Sequence, residues 1–293
     1  MIEFGNVITA SITPFDENLE IDFKEFEKLL IYLENHSDSI LVFGTTGESP
    51  TLSTEEKIKI AEFAKRTTKL PVIANISSND TQKSLKELEL LEKTGVDGFL
   101  VTTPYYNRPP QDALYNYFST IASKTSKPII IYNIPSRTGV DLDPKTIAEL
   151  SKINNIVGLK QSHNDITKIS DILSLSPKFT IYSGDDILTL PAISLGAKGV
   201  ISVSSHIAGK LIKKMILSFE INQKESKAIY YQLYDLFKVL FITTNPIPVK
   251  YALSLLGFKV NNLRPPLRRA KPEECNKIKE VIESILTKVD GNL

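Results

Sequence analysis

Eight short apolar runs alternate with longer amphipathic ones along this chain. The apolar runs are Val7–Ile12, Ser39–Phe43, Pro71–Asn75, Gly98–Thr102, Pro128–Tyr132, Ile156–Lys160, Thr180–Ser183 and Gly199–Val203. They are nearly continuous in Val, Ile, Leu and Phe, which is the signature of parallel strands covered by helices. Helical patterns fall near 22–35, 54–69, 80–94, 111–125, 143–153, 165–176 and 186–196. Ser53 with Glu56, and Asp22 with Glu25, have the spacing of capping boxes.

Strands and helices alternating in this way predict a (β/α)8 TIM barrel. An open doubly wound sheet would want a Gly-rich phosphate turn after an early strand, and no G-x-G-x-x-G occurs. Further helices near 208–221, 224–241, 246–256 and 271–288 exceed the needs of a barrel. The expected division is a catalytic barrel over 1–223 and a C-terminal helical extension over 224–293, punctuated by Pro246, Pro248, Pro265 and Pro266.

Composition narrows the function classes. The 293 residues are 42% hydrophobic, enough for one large core. With 35 basic and 34 acidic residues the net charge is +1, so electrostatics make no case for nucleic acid or an anionic membrane. No uncharged apolar run approaches the ~20 residues of a membrane span. Cys275 is the single cysteine, so no intrachain disulfide can form; this and a polar N-terminal stretch predict a cytoplasmic protein. His36, His163 and His206 lie far apart and form no metal-ligand motif, which disfavours a metal-dependent aldolase.

In TIM barrels reactive groups lie at the carboxyl ends of strands. The sixth strand is apolar until its last residue, Lys160. Alternation puts Ile156, Gly158 and Lys160 on one face, and small Gly158 leaves room beneath the long side chain. A buried amine is favoured in its neutral form, and a neutral amine attacks a ketone to give an imine. A lysine at a strand end also commonly extends its ammonium to solvent. Lys198 precedes a strand at the inert end, and Lys250 lies in a C-terminal helix; both read as structural.

Tyr132 ends the neighbouring strand, where its phenol could pass protons during imine formation, with Thr45 and Tyr106 extending the chain. Taken alone, Tyr106 reads as a packed ring with its hydroxyl in water. The Gly44–Gly47 segment puts hydroxyls and backbone N–H groups at a strand end before a helix, which suits either a small carboxylate or simply a sharp turn. Arg137, in a loop bounded by proline and glycine, could clamp a second carboxylate or lie on the surface.

Taken together, Gly-Thr-Thr-Gly-Glu at 44–48, Tyr-Tyr-Asn-Arg-Pro at 105–109, Tyr-Asn-Ile-Pro-Ser-Arg-Thr-Gly at 132–139, Gly-Leu-Lys at 158–160, Ser-Gly-Asp-Asp at 183–186 and Asn-Pro-Ile-Pro-Val-Lys at 245–250 closely resemble the dihydrodipicolinate synthase family. The resemblance spans nearly the whole chain. The wider superfamily, with N-acetylneuraminate lyase and keto-sugar-acid aldolases, shares the lysine and tyrosine; Arg137 favours the synthase.

The resemblance implies that Lys160 forms an imine with pyruvate and that Tyr132, Thr45 and Tyr106 relay protons, with Tyr106 crossing a tight dimer. It implies that Thr46 holds the pyruvate carboxylate, that Arg137 binds L-aspartate 4-semialdehyde, and that Gly184 and Ile201 give backbone contacts. It further implies no cofactor and a homotetramer built as a dimer of tight dimers. Gln161 stands where the family commonly has glutamate, removing a charge near Lys160. The family's lysine feedback site would map to Ser49, Pro50, Thr54, Lys57, Asn79, Lys83 and Tyr105. Inhibited members tend to carry histidine and glutamate at the positions of Lys57 and Lys83. Two cations there would repel free lysine, so weak or absent inhibition is expected.

Overall fold

The computed structural model describes residues 3–288. Eight parallel strands close in sequential order into a barrel: β1 Val7–Ala10, β2 Ser39–Val42, β3 Val72–Ile76, β4 Gly98–Thr102, β5 Ile129–Asn133, β6 Ile156–Gln161, β7 Thr180–Ser183 and β8 Gly199–Ser202. The helices are α1 Phe23–Leu33, α2 Thr54–Thr67, α3 Thr81–Glu92, α4 Gln111–Ala122, α5 Pro135–Thr138, α6 Pro144–Leu150, α7 Thr167–Leu175, α8 Thr189–Ser194, α9 Ser205–Ile221, α10 Gln223–Val239, α11 Ile247–Leu255 and α12 Pro272–Lys288. The (β/α)8 barrel and the trailing helices read from the pattern are therefore present. The first strand stops two residues short of its predicted end, and α9 starts at Ser205, before the predicted 208, with Ala208 out of helical geometry.

The two faces of each strand feed two cores. Inward side chains, among them Ile8, Leu41, Ile73, Leu100, Ile130 and Ile201, fill the barrel. Outward ones such as Val42, Val101, Ile131 and Leu159 meet the helices. This is the layered interior of a packed barrel rather than a pore.

One strand breaks strict alternation. The register between β5 and β6 jumps from Ile129–Ile156 to Ile130–Gly158, leaving Val157 without a partner. An extra residue of this kind flips the faces on either side of it. Ile156 consequently joins the outer core while Val157 packs on the inner one. The shared face expected for Ile156 and Lys160 is lost at the bulge.

The two cap motifs behave differently. Ser53 and Glu56 form the full reciprocal box at the start of α2. At α1 only half of it forms: Asp22 accepts from Glu25 N at 2.9 Å. The Asp22 amide donates instead to Pro14 O, and the buried Glu25 carboxylate takes Lys28 and the Lys259 amide.

The C-terminal helices lie against the barrel's helical layer, α10 on α9 and α12 on α10 and α11. Tyr230 of α10 donates to Ile187 O in the loop after β7. Among the described residues no helix is long and apolar enough to cross a membrane.

Candidate active site

The β2 strand leads into a tight turn at the barrel mouth. The Gly47 and Ser49 amides donate to Gly44 O, and the Glu48 amide donates to Thr45 O. A side chain at Gly47 would put its Cβ 2.7 Å from Phe43 Cα, so the turn admits only glycine. These three amides are engaged in the turn itself. A 3-10 turn, Ser49–Thr51, comes next, and α2 begins only at Thr54. Within the Gly44–Gly47 segment the turn takes up the Gly47 amide. Thr45 and Thr46, between the two glycines, both line a cavity of about 190 Å³.

Lys160 rises into the same cavity from the end of β6. It is register partner to Tyr132 on β5 and to Tyr182 on β7. Its amine sits 4.2 Å from the centroid of the Tyr132 ring. Only 7% of Lys160 and 6% of Tyr132 is exposed. The amine therefore faces an aromatic ring instead of bulk water.

Two glycines make this possible, for reasons that differ. Gly158 stands against β7, where a Cβ would come within 3.0 Å of Thr180 O; the tight neighbour is backbone, not the lysine above it. A Cβ at Gly184 would lie 1.9 Å from Ser162 Oγ and 3.1 Å from Lys160 Cε. Gly184 is thus the position that gives the lysine its space.

Arg137 reaches the rim from α5, a single helical turn where the sequence suggested a loop. Proline opens this turn and Gly139 closes it at φ 73°, a left-handed cap that glycine adopts freely. Arg137 is exposed on its outer side and lines the cavity on its inner side.

Ile201 sits lower, its side chain within the barrel core, and Val203 beyond it lines the cavity. Tyr106 lies outside the cavity: it is 87% exposed, on backbone at φ 74°, with its amide bonded to Thr138 O. One chain therefore brings together Lys160, Tyr132, Thr45, Thr46, Arg137 and Gly184 but leaves Tyr106 in solvent.

Sequence reading missed several wall residues: Ser136, Ser162, Asp185, Phe241 and Asn245. Burial pushes the Asp185 carboxyl above its usual range, with Lys160 pulling it the other way. Its neighbour Asp186 is buried and fixes the loop after β8, accepting from Ser202 Oγ, Ser204 Oγ and the Val203 and Ser204 amides. The Ser-Gly-Asp-Asp run held the signal for these carboxylates. Asn245 opens the Asn-Pro-Ile-Pro-Val-Lys motif, which marked the segment but not its place at the cavity, and Phe241 carried no local signal.

Gln161 points away from the cavity, as the residue after Lys160 must on a strand. Its amide oxygen accepts from Asn133, which also donates to Asp141. Asp141 in turn pairs with Lys168. The difference from glutamate therefore acts on this outer network and not directly across the cavity.

The positions mapped as a regulatory site fall in the β2–α2 loop and α2 (Ser49, Pro50, Thr54, Lys57), the β3–α3 loop and α3 (Asn79, Lys83) and the β4–α4 loop (Tyr105). Lys57 is buried and pairs with Glu87 at 2.6 Å. Asn79 O accepts from Asn107, beside Tyr105. Pro50, Thr54, Lys83 and Tyr105 are exposed, while Ser49 is buried.

At the remaining lysines, Lys198 lies at the opposite end of the barrel, 3.9 Å from Glu3. Lys250 is wholly buried, 2.5 Å from Glu48 and bonded to Asn262 O. Burial pulls its amine down to about 8 despite the Glu48 carboxylate.

A closed parallel barrel with a buried lysine at a strand end, beside a tyrosine and hydroxyl donors, is the architecture of the class I aldolase-type lyases. The model of the dihydrodipicolinate synthetase family matches residues 3–285, and the chain belongs to that family. It is 43% identical to the 4-hydroxy-tetrahydrodipicolinate synthase of Archaeoglobus fulgidus over 284 residues, covering 96% of this chain and 98% of that one. The dihydrodipicolinate synthase structure from Bacillus anthracis superposes with a TM-score of 0.94 at 39% identity, covering 97% and 99% of the two chains. A lysine-bound synthase structure from Cyanidioschyzon merolae gives a TM-score of 0.92 at 39% identity, covering 96% and 98%.

Proposed function

We propose that this chain is a 4-hydroxy-tetrahydrodipicolinate synthase, condensing pyruvate with L-aspartate 4-semialdehyde on the diaminopimelate route to lysine. The observation that carries the reading is the buried Lys160 amine, 4.2 Å from the Tyr132 ring centre in a cavity walled by Thr45, Thr46 and Arg137.

In this reading the Lys160 amine adds to the pyruvate ketone. Water leaves from the carbinolamine to give an imine, and loss of a methyl proton gives the enamine. The enamine carbon then attacks the aldehyde. Each step moves a proton, and in this reading the Tyr132 phenol, with Thr45, carries it. Thr46 holds the pyruvate carboxylate. Arg137, at the rim, takes the carboxylate of the second substrate in a fork that a lysine could not reproduce. Gly184 and Ile201 contribute close backbone.

Tyr106 completes the relay from a second chain: its exposure at the mouth of its own barrel supports a tight dimer in which each tyrosine serves the partner's cavity. Two such dimers form the tetramer. Residues 1–223 act as the catalytic barrel and 224–293 as its helical extension, with 1–2 and 289–293 lying outside the described residues. The protein works in the cytoplasm.

Borohydride reduction in the presence of pyruvate tests the chemistry. The expected product is a stable adduct on the peptide that carries Lys160; an unmodified peptide sinks the imine mechanism. Condensation with aspartate semialdehyde, measured beside cleavage of sialic acid and ketodeoxygluconate, tests the substrate. Turnover of a sugar acid in preference to condensation would assign the chain to the lyase branch instead.

A further inference from the structure

We propose that Asn245 is a positioning residue that sets the polarity of the Thr46 hydroxyl, so that the C-terminal segment takes part in holding the substrate carboxylate. This role rests on the reading in which Thr46 holds the carboxylate of pyruvate.

Asn245 and Thr46 are 199 residues apart, and Asn245 Nδ2 donates to Thr46 Oγ1 at 2.9 Å. Both line the cavity, with 7% and 3% of their surface exposed. A hydroxyl has one proton and two lone pairs. The amide occupies a lone pair of Thr46, so the Thr46 proton remains for another acceptor. A carboxylate in the cavity is such an acceptor. Without the amide, the Thr46 hydroxyl is equally free to turn its lone pairs toward the anion.

The contact is tied at both ends. Two residues after Thr46, Glu48 pairs with Lys250, five residues after Asn245, at 2.5 Å. Neither side chain of that pair is exposed. The second oxygen of Glu48 accepts from the Arg264 amide at 3.0 Å. The Arg264 guanidinium continues to Thr51 O and the Glu56 carboxylate. The C-terminal segment is thus clamped to the β2–α2 loop and the start of α2 just beyond the Thr46–Asn245 hydrogen bond. A desolvated ion pair of this kind resists separation, because parting it leaves two buried charges uncompensated.

Two variants separate this role from a structural one. Asn245→Asp keeps the shape but offers only acceptors, so it draws the Thr46 proton to itself. The expected result is a pyruvate KM raised by about tenfold or more, the scale of one lost charge-assisted hydrogen bond. The KM for aspartate semialdehyde and kcat stay close to wild type. Asn245→Ala is then measured in the wild type and in a Thr46→Val background. A residue that acts through the Thr46 hydroxyl raises pyruvate KM in the first and leaves it unchanged in the second.

An equal rise in both backgrounds overturns the proposal, as does an Asn245→Asp enzyme with normal pyruvate KM. Borohydride trapping of the wild type with pyruvate runs beside the cycle. If the wild type forms no adduct, the catalytic reading and the role of Asn245 fall together. If it does and the cycle is additive, only the role of Asn245 falls.

Discussion

Lys160 and Tyr132 are direct register partners on adjacent strands, and the lysine amine lies over the tyrosine ring, 4.2 Å from its centre. The relationship is fixed by backbone pairing, because the two side chains leave neighbouring strands at the same height and on the same face. Tyr132→Phe keeps the ring and removes only the phenol. The expected effect is a kcat lower by about 10²- to 10³-fold, the usual scale of general acid–base help, with pyruvate binding retained. Stopped-flow measurement of imine formation checks it: a normal rate would remove Tyr132 from the proton path.

Gly184 governs the space around the same amine. With Ser162 Oγ 1.9 Å and Lys160 Cε 3.1 Å from where a methyl would sit, Gly184→Ala must displace one of them. The expected enzyme folds, because the change lies at the open mouth, but traps pyruvate poorly. Circular dichroism and borohydride labelling together decide the matter. Full labelling in Gly184→Ala would mean the lysine has other room.

Lysine inhibition is expected to be weak or absent. Lys57 keeps a cation at the mapped site, and the structure adds that this cation is held by Glu87 at 2.6 Å, mostly out of solvent. That pairing weakens the simple repulsion between Lys57 and free lysine, yet it leaves an ammonium already seated beside the available carboxylate. Exposed Lys83 contributes little through water. Half-inhibition at sub-millimolar L-lysine would refute the expectation.

Two buried histidines make stability depend on pH. Burial pulls both His36 and His206 down to about 4 from an ordinary 6.5, with nearby Lys210 adding to the effect on His36. His206 is held neutral in one tautomer, Nδ1 donating to Val203 O while Nε2 accepts from the Ile12 amide. Below pH 6.5 the unfolded chain binds protons that the folded one refuses. Stability therefore falls as pH drops from about 6.5 toward about 4, each histidine contributing up to about 1.4 kcal/mol per pH unit. Urea midpoints between pH 6.5 and 5 should show the decline, and His36→Phe, which preserves stacking on Tyr32, should reduce its slope by half. A flat profile in the wild type would contradict the assignment.

Local patterns settled a large part of this protein. Runs of Val, Ile and Leu ending in Lys160, Tyr132 and Ser183 placed the strands and their reactive ends, because strand burial and side-chain alternation are written residue by residue. Ser53 and Glu56 marked the start of α2, since a cap needs only four neighbours in sequence. The same logic failed at Ile156, where a bulge in β6 exchanged the two faces, and at Glu25, whose carboxylate was taken by the Lys259 amide from the other end of the chain. The tertiary structure alone decided that Gly184 clears space for Lys160 and that Asn245 grips Thr46. Those contacts form only when the barrel closes and the C-terminal helices return to its mouth. Periodicity records which face a residue presents; only packing decides which distant residue meets it there.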